Sequence, residues 1–232
     1  MSDLVTYDLD GPMARITIDD GKVNVMSFAM ICAINDALDR AERDGAVVVL
    51  SGRDGVFSAG FDLGVLRAGG YQAAAMVRGG FELAERVLSF PRPVVIACTG
   101  HTVAMGVFLL LSGDYRVAAS GSYRITANEV AIGLTMPHAA LAVLRQRLTP
   151  AAFSRAVVLA ESFTPDNAVA AGFVDQVVAP SDVRRVADEV AASMLGLDAA
   201  AHTATKLRAR AHLLAELRSG VAADWAGFRN AS

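Results

Sequence analysis

The sequence predicts an α/β protein whose recurring unit is strand, strand, helix, closed by a helical C-terminal third. Three observations carry this. Two apolar runs rich in β-branched residues, Ala46–Leu50 and Val94–Ile96, hold no charge and have the length of strands buried on both faces. Other segments place apolar residues at helical spacing, with Phe28, Ile31, Ile34 and Leu38 in one and Met76, Phe81 and Leu88 in another. From about Ser181 to Gly220 the chain is Ala-rich and helical in pattern. The expected division is a core over residues 1–180 and a C-terminal helical region over 181–232.

The elements follow in order. Val5, Tyr7 and Leu9 alternate, Asp10-Gly11 offers a turn, and Ala14–Ile18 alternates again, which predicts a hairpin whose second strand Pro12 shortens. Lys22–Met26 is extended, and Ser27 is placed to cap the helix that begins at Phe28. A loop carrying Phe57–Leu63 follows the Ala46–Leu50 strand, and Ala73–Leu88 reads as an amphipathic helix after Gly69-Gly70. Pro91 and Pro93 bracket the entry to the Val94 strand. That strand is expected to turn at Thr99-Gly100 straight into a helix starting at Ala104-Met105-Gly106. Tyr115–Ala118 and Ser122–Thr126 read as short strands, and Ala139–Leu148 and Pro150–Ala160 as helices. Thr164-Pro165 opens a further helix that Gly172 ends, and Phe173–Val178 is extended.

Composition sets limits on function. Of 232 residues, 53% are hydrophobic and 19% charged, so a large core is available and disorder is not expected. A net charge of −3 leaves no basic footprint for nucleic acid. Cys32 and Cys98 both sit in apolar contexts and read as reduced, buried thiols, with no disulfide and no metal-ligand spacing. Met1–Thr6 lacks the pattern of a signal peptide, and the apolar run Val103–Leu111 is too short to span a bilayer. A cytoplasmic protein without a membrane partner is expected.

The stretch from Val94 to Asp114 draws attention first. A strand leading through small residues into an apolar helix leaves the first helical N–H groups unpaired, and such donors hold developing negative charge. A second segment upstream, Phe57-Ser58-Ala59-Gly60-Phe61-Asp62-Leu63, complements it.

Together with Gly100-x4-Met105-Gly106, Asp114–Ala118, Asn128–Gly133 and Thr164–Val178, that segment resembles the crotonase superfamily, the enoyl-CoA hydratases and isomerases. The likeness covers nearly the whole chain in the family's order. It implies a spiral of ββα turns, C-terminal helices that build a homotrimer or a hexamer, and an acyl-CoA thioester as substrate, with no further cofactor. It does not fix the reaction, because the family hosts several chemistries on one scaffold.

The resemblance places two oxyanion-hole amides on Phe61 and Met105, with Gly106 the alternative for the second. Members usually carry glycine where Met105 stands, so its side chain must turn away from the thioester. Two N–H groups converging on that oxygen favour the enolate, and removing one such donor typically costs about 10²–10³ in rate. Hydratases of the family use two glutamates. Here the first position, counted back from Asp114, is Phe108, and the second is Glu129, preceded by Asn128. A carboxylate beside an apolar pocket has its pKa raised, which suits a base working near neutral pH.

One glutamate with phenylalanine in the other place resembles the Δ3,Δ2-enoyl-CoA isomerases. A 1,3-proton shift needs one base, whereas hydration needs a water held between two carboxylates. A hydratase working with one glutamate, or with His138 assisting, is the alternative enzyme, and an acyl-CoA-binding protein without chemistry is the alternative class. The resemblance sets the CoA moiety against Val23, Val25, Ala59, Asp62 and Leu63. Lys206, Arg208 and Arg210 on the last helical segment are candidates for the nucleotide phosphates. Glu82 and Glu85 read as a solvated helix face, His101 as a hydrogen-bonding residue, Asp62 as the brace of its turn, and Asp114 as a cap of the central helix.

Overall fold

The computed structural model describes residues 4–230, with side chains over 4–227. Met1–Asp3, part of the segment read above for a leader, lie outside the described residues. Strands β1 (Val5–Asp10) and β2 (Met13–Ile18) form the expected antiparallel hairpin, with β2 starting directly after Pro12. β3 (Val25–Met26) follows, then α1 (Phe28–Arg43), whose first turn is capped by Ser27 Oγ accepting from Met30 N at 3.2 Å. α1 buries Ile31, Ile34 and Leu38, while Phe28 is left 38% exposed at its start. Cys32 lies on the outer face of α1, so the expectation of two buried thiols holds for Cys98 alone.

β4 (Val47–Ser51) leads to β5 (Gly55–Ser58), β6 (Gly60–Phe61), α2 (Leu63–Ala68) and α3 (Gly70–Ser89). β7 (Val94–Cys98) is followed by β8 (Gly100–Val103) and α4 (Met105–Ser112). The chain therefore does not turn from β7 straight into a helix. It bends at Thr99 and runs on as a second strand, where Gly100 pairs with Gly55 so closely that a Cβ on Gly100 would fall 2.0 Å from the Gly55 carbonyl carbon. β9 (Tyr115–Ala119) and β10 (Ile125–Thr126) precede α5 (His138–Arg147), α6 (Pro150–Leu159) and α7 (Pro165–Ala171). Asn167 Oδ1 accepts from Thr164 N at 3.0 Å at the start of α7, and Gly172, at φ +97°, ends it. β11 (Gln176–Val178) precedes α8 (Val183–Ser193), α9 (Ala199–Ala209) and α10 (Ala211–Asn230).

The strands sort into a six-stranded sheet, β1-β2-β4-β7-β9-β11, and two smaller ones, β10-β8-β5 and β3-β6. Successive turns of the chain each give one strand to the large sheet and the next to a small one before a helix closes the turn. This is the ββα spiral. Alternation along the central strands separates two cores. Val48, Leu50, Val94, Ile96 and Ala118 face the main core, and Val47, Val49, Val95, Ala97, Val117 and Ala119 face a second core closed by Val183, Ala187 and Ala191 of α8. α10 lies across α3 and α5. Among the described residues no helix is long and apolar enough to cross a membrane.

Candidate active site

The site begins where α4 begins. Ala104 precedes the helix at φ +48°, a conformation that alanine adopts only where its surroundings enforce it. Its N–H donates to Thr126 O at 2.9 Å, and its carbonyl accepts from Val107 N at 2.8 Å. The N–H groups of Met105 and Gly106, first in α4, have no carbonyl one turn back to receive them.

The Phe57–Leu63 segment is pressed against this start. Gly60, at φ +86°, lies so near that a Cβ on it would be 2.8 Å from Ala104 Cβ and 3.3 Å from Met105 N. Only glycine meets both the conformation and the approach. Gly106 serves the same end from the other side, since a Cβ there would be 2.7 Å from Ser58 O. The side chains of Phe61 and Met105 both turn to α3: a Cβ on Gly80 would lie 2.5 Å from the Phe61 ring and 3.1 Å from Met105 Sδ. The methionine that departs from the family's glycine is therefore housed in the core, fully buried.

Asn24 holds the segment in place, a role the sequence reading missed. Buried and at φ +54°, it donates from Nδ2 to Ile18 O at 3.0 Å and to Phe57 O at 3.1 Å. Its own carbonyl accepts from Ser58 Oγ at 2.7 Å, and that hydroxyl accepts from Gly60 N at 3.1 Å. The available signal was a lone Asn between two valines, a residue type that tolerates the left-handed region.

Glu129 arrives from the third side. β10 pairs in parallel with β8, Thr126 opposite Val103, so Glu129 stands three residues beyond the carbonyl that receives Ala104 N. It is 7% exposed, its Oε2 is buried without a partner, and burial pushes its carboxyl up to about 7 against a small opposing effect of its own backbone N–H. Neighbouring Asn128 also keeps its Oδ1 buried and unpartnered. Phe108, one turn into α4, stacks on Phe81 of α3 with ring centroids 5.5 Å apart. That position is apolar core. A helix start with free N–H groups beside one carboxyl titrating near neutrality is equipped to remove a proton next to a polarised carbonyl.

The remaining candidates divide. Ala59 N donates to Val23 O at 2.9 Å, and β3 pairs with β6, Val25 opposite Gly60, so Val23, Val25, Ala59, Asp62 and Leu63 form one edge beside the amides. Val23 and Leu63 are exposed there, at 43% and 45%. Asp62 Oδ1 accepts from Gly64 N at 2.7 Å and caps α2, the bracing role expected of it.

Lys206, the candidate for the nucleotide phosphates, is held elsewhere: it is 7% exposed, and its Nζ is 2.7 Å from Asp114 Oδ2, at the far end of α4 from Met105. Arg210 is held by the same carboxylate at 2.9 Å, and Arg208 alone of the three is exposed. Asp114 is accordingly no helix cap; it accepts from Val94 N at 2.7 Å and binds the two cations. His138 is not aimed at the reaction either. Its ring is 71% exposed and its Nδ1 lies 2.9 Å from Asp224 Oδ1 of α10. His101 Nδ1 accepts from Arg124 N at 3.1 Å, and Glu82 pairs with Arg78 on the surface of α3. Among the described residues no cluster of His, Cys, Asp or Glu is arranged to hold a metal.

A family model described as enoyl-CoA hydratase/isomerase matches residues 9–230. The crystal structure of an enoyl-CoA hydratase, EchA3, from Mycobacterium marinum is 51% identical to this chain, covers 97% of it and 99% of its own length, and superposes with a TM-score of 0.93. A Mycobacterium tuberculosis protein described as an enoyl-CoA isomerase in one structure and as a probable enoyl-CoA hydratase, EchA3, in another is 49% identical to this chain, covers 97% of it in both, and superposes with TM-scores of 0.94 and 0.95. A curated relative described as a probable enoyl-CoA hydratase, EchA17, from Mycobacterium avium is 30% identical over 178 residues, 75% of this chain and 68% of the relative.

Proposed function

For a chain that belongs to the enoyl-CoA hydratase/isomerase family, as this one does, we propose an enoyl-CoA double-bond isomerase of fatty-acid metabolism that works with a single glutamate. The observation that carries this reading is the pair formed by Glu129 and Phe108: one buried, partner-poor carboxyl, and a stacked aromatic where a second carboxylate is needed for hydration.

In the proposed reaction the thioester oxygen accepts from the N–H groups of Phe61 and Met105. Glu129, as carboxylate, takes a proton from C2, the electrons move onto the held oxygen, and the same carboxyl returns the proton to C4 as the double bond settles between C2 and C3. No water and no second acid enter the balance. Burial supports the role, because a carboxyl near 7 is both present as base and strong enough as acid to give the proton back. Val23, Val25, Ala59, Asp62 and Leu63 are the proposed rest for the CoA moiety, with its thioester reaching in past β6. The hydratase descriptions borne by EchA3 and EchA17 favour a second reading, water addition with one glutamate.

Separate incubations with a 3-enoyl-CoA and a 2-enoyl-CoA, followed by mass spectrometry, test this. Conversion of the first without gain of water is expected. Water addition to the second at a comparable rate would overturn the isomerase reading. Tight thioester binding with no α-proton exchange in deuterated water would overturn both enzymatic readings.

A further inference from the structure

The loop between β2 and β3 is built on a carboxylate that the proposed reaction does not use. Asp20 is half-buried, and both its oxygens are filled from the backbone. Oδ1 accepts from Lys22 N and from Asn24 N, each at 2.8 Å, and Oδ2 accepts from Val25 N at 2.9 Å. In return Asp20 N donates to Asn24 Oδ1 at 3.0 Å. Burial works to raise the carboxyl, but the N–H groups of Val25, Asn24 and Lys22 and the charge of Arg53 hold it below its ordinary range. The 20–25 loop is thus wrapped around one anionic side chain.

Two hydrogen-bonded paths run from this loop to the Phe57–Leu63 segment. Val23 O accepts from Ala59 N at 2.9 Å. Asn24 O accepts from Ser58 Oγ at 2.7 Å, and the same hydroxyl accepts at 3.1 Å from the N–H of Gly60, the residue before the proposed amide of Phe61. Asn24 and Ser58 are fully buried, so the second path is closed to solvent along its length. Val23 is also, at 43% exposed, the outermost residue of the proposed CoA edge. One loop therefore carries a resting place for the CoA moiety on its surface and the seat of an oxyanion donor beneath it.

We infer that Asp20 and Ser58 are positioning residues that join the seat of the CoA moiety to the Phe61 N–H, so that contact at Val23 and Val25 sets this donor against the thioester oxygen. The inference rests on the reading of Phe61 as an oxyanion donor for an acyl-CoA. Neither side chain touches the reacting atoms. Asp20 fixes the loop, and Ser58 passes its position to Gly60, whose left-handed conformation and close seat on Ala104 then place the next N–H. Binding energy from the remote, unreactive part of a substrate raises turnover only where it is used for orientation, and a loop of this kind is a route for it. A carboxylate that merely closed a loop would change how much of the protein folds, and not how fast each folded chain works.

α-Proton exchange in deuterated water, a step common to isomerisation and hydration, reads the effect. The full-length protein is given a CoA thioester and, separately, the N-acetylcysteamine thioester of the same acyl group, which lacks most of the CoA moiety. In the parent the truncated thioester should lose about tenfold in kcat, and not in KM alone. Ser58→Ala removes one buried hydroxyl. It should lower kcat for the CoA thioester by about tenfold with KM little changed, and leave the truncated thioester near its parental rate. Asp20→Asn keeps one acceptor oxygen and sets a donor against Val25 N in place of the other, and should act in the same direction. Thermal melts accompany each variant, and kcat is taken per folded chain. Equal kcat for the two thioesters in the parent, or parental kcat per folded chain in Ser58→Ala, would overturn the inference. Should Asp20→Asn fail to fold, Ser58→Ala decides alone. A parent that exchanges neither thioester would overturn the functional reading itself, and the inference with it.

Discussion

Glu129, 7% exposed after β10, and Asp114, whose side chain is 14% exposed just beyond α4, are both carboxyl groups withdrawn from solvent, and their surroundings are opposite. Asp114 is met by Lys206, Arg210 and the backbone N–H of Val94, so its charge is covered on every side. Glu129 has a bare Oε2 and a carboxyl that burial pushes up to about 7. The first arrangement joins α9 to the central sheet and does no chemistry. The second is costly once charged, which is what the proposed role of trading a proton at neutral pH requires. The contrast separates a paired acid from an unpaired one, and the proposed mechanism gives the chemistry to the unpaired one.

The largest break in that contrast comes from removing the reactive member. Glu129→Gln should lower isomerisation and α-proton exchange by about 10²–10⁴-fold, the usual worth of a positioned general base. Its melting temperature above neutral pH should be equal to or higher than the parent's, because a desolvated charge has been removed. A fall in stability alongside retained exchange would place Glu129 with Asp114 as a structural acid.

Asp114→Ala is the mirror experiment. It leaves Lys206 and Arg210 buried without a counter-charge and Val94 N without an acceptor, and breaking a buried pair in this way costs about 3–5 kcal/mol. Denaturant titration should show that loss, while the protein that remains folded keeps its turnover per active chain. Full stability in the variant would mean that the cations find other acceptors.

These two residues also mark how far the sequence was legible. The hairpin, the capped helices and the β-branched central strands were readable because local pattern and final structure agree, as at Ser27 and at Gly172. Glu129 was readable because it stands in a segment of few charges that resembles a known family. What escaped was fixed by distant partners. β6 is two residues long and exists only through its pairing with β3, so no periodicity announces it. β8 hid behind Gly100, whose turn-like identity reflects its contact with Gly55. Lys206 was read as free to meet phosphates because nothing near it in sequence shows Asp114, which holds its ammonium.

A pH series sharpens the comparison with a smaller effect. Glu129 has its folded-state carboxyl raised from 4.5 to about 7, so the folded protein keeps a proton that the unfolded chain gives up across that window. Its contribution to stability is fully present below pH 4.5 and is lost as the pH rises through 7, by on the order of 3 kcal/mol. Exchange activity runs the other way, rising through pH 7 as the carboxylate forms. Thermal melts and rates measured on one set of buffers should therefore cross, and Glu129→Gln should flatten the stability component. Parallel rise of both curves would sink the assignment of Glu129 as an unpaired buried acid.

The smallest effect belongs to a third carboxylate, one that sits next to the chemistry without joining it. Asp62 follows the candidate oxyanion residue Phe61, yet its Oδ1 is taken by Gly64 N at 2.7 Å and Val65 N at 3.2 Å at the start of α2. Asp62→Ala removes a helix cap and should cost about 1 kcal/mol of stability. Since the Phe61 amide is set by Gly60 and its seat on α4, and not by α2, turnover should fall only slightly, with any change expressed in KM through the CoA-facing edge at Leu63. A loss in kcat of the size expected for Glu129→Gln would make Asp62 a second acid at the site, and the single-glutamate mechanism would give way to one in which two carboxylates share the proton.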